Sequence, residues 1–247
     1  LQIVTTEAYI TIHDQDLVLA SEASGQFDRL SHTYLFVGRK PVDRLPVDLK
    51  VIVCREYEPN YEYLPQFYDF TGWYVLARHG LLADHAIMLQ YDMYIIDPDI
   101  EAKVDALLNA APGMVAFNAG YWGPNWMLGL PEFEATYRRG LLVHNIHQEH
   151  FPSFNEWPST QGTAWRRETL EAFMAWFEPM FEIFKDHIFA GHLAERTVKA
   201  WHVVNFPEQY LLGMIAHNAA DIHGTGALMG GNLNVYLARN AAFMGQR

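Results

Sequence analysis

The chain has a single cysteine, Cys54, among its 247 residues. That excludes an internal disulfide framework and a thiolate metal cluster, and it favours a cytoplasmic setting. Positive charge is scarce as well. Seventeen Lys and Arg against 29 Asp and Glu leave a formal net charge of −12, without the basic face that nucleic-acid binding requires. The expected partners therefore include no nucleic acid. No apolar run reaches the roughly 18 residues of a membrane span, so no membrane span is expected either. Several catalytic signatures are missing: a Gly-x-Ser-x-Gly elbow, a Gly-x4-Gly-Lys-Ser/Thr phosphate loop, an early Gly-x-Gly-x-x-Gly turn and a His-Glu-x-x-His helix. Internal repeats and low-complexity tracts are absent too.

What is present is apolar and aromatic. Half the residues are hydrophobic, enough for a sizeable core in one large domain. The 7 Trp, 13 Tyr and 15 Phe read first as bulky core and second as platforms for sugar or base rings. The first third reads as strands with short connections: Ile3 to Ile12, Tyr34 to Gly38 and Leu49 to Cys54. Between Glu62 and Gly80 the period becomes helical, with Leu64, Phe67, Tyr68, Thr71, Val75 and Leu76 on one face and Gly80 as the stop. Residues 86–92 form a strand, a helix follows from about Asp99 to Asn109, and Met114 to Asn118 form the next strand. Gly120 to Pro131 reads as a loop and Leu141 to His144 as a strand. From Trp165 the chain turns helical, with Leu170, Phe173, Met174, Phe177, Phe181 and Phe184 on one stripe that Pro179 should kink or interrupt. A further helix spans about Leu193 to Val204, and a Gly-rich tail follows Ala219. Strands alternating with helices, then helices, predict a single α/β domain with a helical carboxyl-terminal extension.

The most informative stretch is Ala86 to Ile95. An uncharged, apolar run ends on Asp92, and Asp97-Pro98-Asp99 then breaks the strand and opens a helix. A carboxylate at the carboxyl end of a buried strand sits where open α/β sheets bind ligands. It suits a divalent cation, Mn2+ or Mg2+, that neutralises a phosphate-bearing substrate. Gln90-Tyr91-Asp92 has the spacing of an acid–x–acid motif with Gln in place of the first acid. Asp97-Pro98-Asp99 matches that motif literally, but Pro at a helix start beside Asp is ordinary capping grammar.

The order of four segments, Tyr68 to Tyr74, Met88 to Tyr94, Trp157 to Glu168 and Gly191 to Arg196, resembles GT-A-type nucleotide-sugar glycosyltransferases. The likeness is particularly to bacterial and viral enzymes that build capsular or surface polysaccharides, and it spans roughly residues 30 to 225. It implies a GT-A-like (Rossmann-like) mixed, mostly parallel sheet flanked by helices. Residues 1–150 would form the nucleotide-sugar-binding part and 151–247 the helical acceptor side. It further implies a nucleoside diphosphate sugar donor, a carbohydrate acceptor, and a cation near Asp92 completed by a carboxyl-terminal His, for which His223 is preferred over His217. Glu195 is the candidate that activates the acceptor oxygen, with Glu132 and Glu134 as rivals. The donor and acceptor contacts expected are Arg39, Trp73, Gln90, Tyr91, Gln161 and Trp165. Two alternatives stand beside this reading. One is a zinc-dependent hydrolase built on His144, His147 and His150; the other is a non-catalytic carbohydrate-binding module on the same fold.

Overall fold

Thr6–Ile12 (β1) runs through the middle of the protein, and its last five residues, Ala8 to Ile12, are all buried. A strand covered on both faces reads as a continuous apolar run rather than as alternation. The same holds for His85–Gln90 (β4), buried from His85 to Leu89. The computed structural model describes residues 4–91, 93–95, 99–110, 113–116, 119–121, 131–147, 156–158, 160, 162–205, 228–229 and 235–239.

After β1 come Gln15–Ser24 (α1), His32–Phe36 (β2), Val51–Val53 (β3), 3-10 turns at Cys54–Glu56 and Pro65–Phe67, Asp69–Arg78 (α2) and β4. Met93–Ile95 (β5), Ile100–Ala110 (α3), Met114–Ala116 (β6), Ala119–Tyr121 (β7) and Pro131–Leu142 (α4) follow. The remainder comprises Glu156–Pro158 (β8), Gly162–Arg166 (β9), Arg167–Phe184 (α5), Ala190–Asn205 (α6), Leu228–Met229 (β10) and Val235–Arg239 (β11). The main sheet has the order β3-β2-β1-β4-β9-β6. The first four strands in that order are parallel, and β9 lies antiparallel between β4 and β6. Two small antiparallel sheets, β10-β11-β5 and β7-β8, complete the pairing.

The period of two sorts the strand side chains onto two cores. Tyr9, Leu35, Met88 and Trp165 face a core shared with α2, α4, α5 and α6. Ile10, Tyr34, Phe36 and Ile87 face a second one shared with α1 and α3, through Val18 and Val104. Gly72 lets α2 lie directly on the sheet, because a Cβ there would stand 2.6 Å from Leu35 Cδ2. Gly80, with φ +64°, follows the last turn of α2 at the expected stop. Among the described residues no helix is long and apolar enough to cross a membrane.

The mixed, mostly parallel sheet with helices α5 and α6 late in the chain is the predicted architecture. Four local expectations change. Leu141 and Leu142 close α4 instead of forming a strand, and the Pro131 start with Glu132 and Glu134 in its first turn is the helix signal. Gly162–Arg166 is a strand, so the helix begins at Arg167, not Trp165. Segment 15–24, read as a connection, is α1; its buried face includes Gln15 and Ser21, so hydrophobic periodicity is blurred. Pro179 does not interrupt α5, which is helical throughout; it lies on the exposed side, where the freed carbonyl of the preceding turn can meet water.

Candidate functional site

Strands β1, β2 and β4 are parallel and in register, so Ile12, Phe36 and Gln90 finish along one edge of the sheet. Beyond that edge lies a cleft of about 670 Å³. Its floor comes from the strand ends: Thr11 to His13, Val37 and Gly38, and Gln90 and Tyr91. Because β9 is antiparallel to β4, Thr160, two residues before it, arrives at the same edge. One wall is the start of α2, with Tyr68 and Asp69, and the other is the first turns of α6, with Gly191, His192 and Glu195.

Glu195 points its carboxylate at Thr160. Its Oε1 accepts the Thr160 backbone N–H at 3.1 Å and lies 3.4 Å from the hydroxyl. Its Oε2 stands 3.7 Å from His192 Nδ1 and 4.0 Å from Arg196 Nη1. The ion pair with Arg196 is therefore the looser contact. Arg196 is buried, donates to the His192 carbonyl at 2.8 Å and lies over the Phe133 ring. Glu195 is thus a cleft carboxylate fixed by a neighbouring loop, which fits a group that must be held in one orientation.

Gln90, which stands where an acid–x–acid motif has its first acid, donates its amide to Asp69 Oδ2 at 2.7 Å. Asp69 opens α2, where the partial positive charge of the helix end favours a carboxylate. Tyr91 carries His13 against its ring edge-on, with centroids 5.2 Å apart. Burial pushes the His13 imidazole below its ordinary range, helped by Lys40 and opposed by Asp14.

Glu62 carried no sequence signal, and Tyr68, expected on one helical face with Leu64 and Phe67, instead stands exposed just before α2 while those two are buried. Glu62 is only 4% exposed and accepts the backbone N–H of Gly38. Burial raises its carboxyl pKa, against the opposing pull of that N–H, the Thr71 hydroxyl and Arg55. Nothing in its local pattern, Asn60-Tyr61-Glu62-Tyr63, marks it; only the fold brings it under the strand ends. Tyr68 is 65% exposed with φ 49° and ψ −116°, a conformation that suits glycine. Holding a bulky residue there costs about 1–3 kcal/mol.

The structure distributes the remaining expected residues unevenly. Arg39 is exposed just beyond β2, after Gly38, and does not line the cleft. Trp73 and Trp165, expected as donor and acceptor contacts, are corrected to core residues. They are 1% and 0% exposed and pack edge-to-face with centroids 6.0 Å apart, which leaves no ring face for a ligand. Trp165 also donates its indole N–H to Thr163 Oγ1 at 2.9 Å. Glu134 pairs with Arg138 along α4, and Glu132 lines a separate cavity of about 590 Å³ with Arg139, Glu182 and Asp186. Neither belongs to the cleft lining. Asp92, Gln161 and His223 lie outside the described residues, as do His217 and Asp97.

Of the three histidines weighed for zinc, His144 stacks on Trp176 with centroids 4.5 Å apart, His147 is exposed, and His150 lies outside the described residues. Among the described residues no group of three or more His, Cys, Asp or Glu could hold a metal ion. In the cleft, Glu62, Asp69 and Glu195 are oxygen donors of the kind a hard cation takes, but each already accepts hydrogen bonds from Gly38, Gln90 or Thr160.

No protein-family model matches the chain, and no curated protein does. Among solved structures it is similar to the apo structure of WbbM, a bifunctional glycosyltransferase, with a TM-score of 0.52 at 13% identity. That match covers 81% of this chain and 42% of the WbbM chain, so this chain spans under half the length of that protein. The apo form of mouse xyloside xylosyltransferase 1 matches with a TM-score of 0.39 at 13% identity, over 83% of each chain. At such identity the WbbM likeness is one of fold: this chain has a GT-A-like, Rossmann-like architecture, with its cleft at the carboxyl ends of the parallel strands.

Proposed function

We propose that the chain is a glycosyltransferase that moves a sugar from a nucleoside diphosphate sugar to a hydroxyl of a carbohydrate acceptor. The observation that carries this reading is Glu195. Its carboxylate is oriented by Thr160 in a cleft that lies where open α/β sheets bind ligands. In an inverting displacement Glu195 takes the proton of the acceptor hydroxyl while that oxygen forms its bond to the anomeric carbon. The bond from that carbon to the diphosphate oxygen breaks, and the nucleoside diphosphate departs with the electron pair. Gln90, Tyr91 and Gln161 are the proposed donor contacts.

Three carboxylates already border the cleft, so a diphosphate entering it meets negative charge. Asp92, next to Gln90 and Tyr91, is the proposed ligand of a Mn2+ or Mg2+ ion, with His223 as its partner. Such an ion, when bound, supplies positive charge opposite the diphosphate. The contact between Gln90 and Asp69 also favours a second reading, a sugar-binding module without turnover, since an amide there is a poor cation ligand.

The test is a thermal-shift screen against nucleoside diphosphate sugars with and without Mn2+, followed by transfer assays on simple glycosides. The wild type should be stabilised by one donor and should turn it over. Glu195→Gln should keep donor binding and lose roughly 100-fold or more in turnover, whereas Asp92→Ala should lose the Mn2+-dependent part of the stabilisation. No stabilisation by any nucleotide sugar rejects the transferase reading. Stabilisation by glycosides alone, without turnover, selects the binding module.

A further inference from the structure

We propose that Tyr68 is the platform on which the acceptor lies, its ring meeting the C–H face of a pyranose whose hydroxyls turn toward Glu195; this deepens the transferase reading and rests on it.

Two local departures from ordinary backbone chemistry converge on this one ring. The first is the conformation of Tyr68 itself. Among the described residues only Tyr68 and Asn145 combine a side chain with positive φ, and Asn is a residue that tolerates it. A glycine would occupy φ 49° and ψ −116° freely. Tyrosine stands there instead, and its side chain is 65% exposed, so core packing does not explain the choice. The second departure is Gly191 in the first turn of α6. A Cβ at that position would stand 2.8 Å from Tyr68 Cδ2 and 2.9 Å from the Gln66 carbonyl oxygen. The missing side chain lets the ring lie against the helix that carries Glu195, one turn further on.

The surroundings fit a sugar. A pyranose offers a patch of C–H bonds on one face and hydroxyls around its edge. The negative face of an aromatic ring attracts polarised C–H groups. Hydroxyls need donors and acceptors at the side, and Thr160, His192 and Glu195 line the same cleft. An apolar body with a few polar groups converging on it is the usual recipe of a small-molecule site.

The experiment measures saturation-transfer NMR from the protein to methyl β-D-glucopyranoside, methyl β-D-galactopyranoside and methyl α-D-mannopyranoside, with parallel melting curves and UDP or GDP binding in Mn2+. Wild type should transfer saturation to the C–H protons of at least one glycoside. Tyr68→Gly should weaken that glycoside roughly five- to tenfold, melt no lower than wild type because the backbone is relieved, and bind nucleotide as before. Tyr68→Phe should recover most of the lost affinity, and Gly191→Ala should weaken glycoside binding by displacing the ring. Undiminished glycoside binding by Tyr68→Gly, or no glycoside signal from wild type, overturns the proposal. So does a Tyr68→Gly variant that melts lower, since the ring is then part of the structure. Glycoside binding lost in Tyr68→Gly, with no nucleotide binding by any form, supports the platform and sinks the donor assignment.

Discussion

Gln90 and Asp69 join the end of β4 to the first turn of α2 through an amide–carboxylate hydrogen bond of 2.7 Å. The contact sets a carboxylate from α2 beside the amide that stands where the motif spacing has an acid.

Gln90→Glu restores the literal acid–x–acid motif and tests that contact. Two carboxylates at this distance cannot both ionise easily, so the pair gains a raised pKa in the folded state. A folded carboxyl with a raised pKa binds more protons than the unfolded chain, so the variant should lose stability as pH rises through that value. Urea unfolding should show Gln90→Glu close to wild type near pH 4 and less stable by about 1–2 kcal/mol at pH 8. Equal loss at both pH values means that the two side chains do not meet.

His202 should contribute to the acid side of the stability profile. It is buried in α6 against Trp165 and Trp201, and its Nδ1–H donates to the Val198 carbonyl oxygen at 3.0 Å. Burial pulls its pKa down to about 4. The folded state thus excludes a proton that the unfolded chain takes up below about 6.5. Stability present at neutral pH should fall between roughly pH 6.5 and 4, by an amount on the order of 3 kcal/mol. His13, His144 and His187 are lowered in the same direction, each chiefly by burial, and should steepen the slope. Replacing His202 by Leu should flatten it; an unchanged slope in chemical unfolding at several pH values removes His202 as its source.

Gly72→Ala should be costly for its size. The added Cβ would stand 2.6 Å from Leu35 Cδ2 and 3.0 Å from Val37 Cγ1. Helix α2 would have to lift from the sheet, at about 1–3 kcal/mol, despite the better helix propensity of alanine. A melting midpoint equal to that of wild type speaks against the close packing of α2 on β2.

Much of the fold was legible because its signals are local. The buried run of β4, the apolar stripe of α5 and the Gly80 stop follow from side-chain periodicity and backbone preference alone. Gly162–Arg166 escaped for a non-local reason. A short strand between β4 and β6 is defined by its two partners, and its Trp165 looks equally like the start of the helix that follows. Glu195 was legible as an acid on a helix near the acceptor side. That it would meet Thr160, from just before β9, was not. Trp73 misled because an aromatic residue reads the same in the sequence whether its face is covered by Trp165 or open to a ligand.

By itself the sequence determined the class of this protein. It set an α/β order, an acidic and cysteine-poor chain, and an uncharged strand that ends beside Asp92, all consequences of residue type and spacing along one dimension. Tertiary structure alone decided which side chains share the cleft. Glu62 and Tyr68, Gln90, Thr160 and Glu195 come from four distant stretches of the chain, and the parallel register of β1, β2 and β4, with β9 reversed beside them, brings them to one edge. Proximity across a sheet is a property of strand order, and strand order is fixed by how two cores close on opposite faces at once.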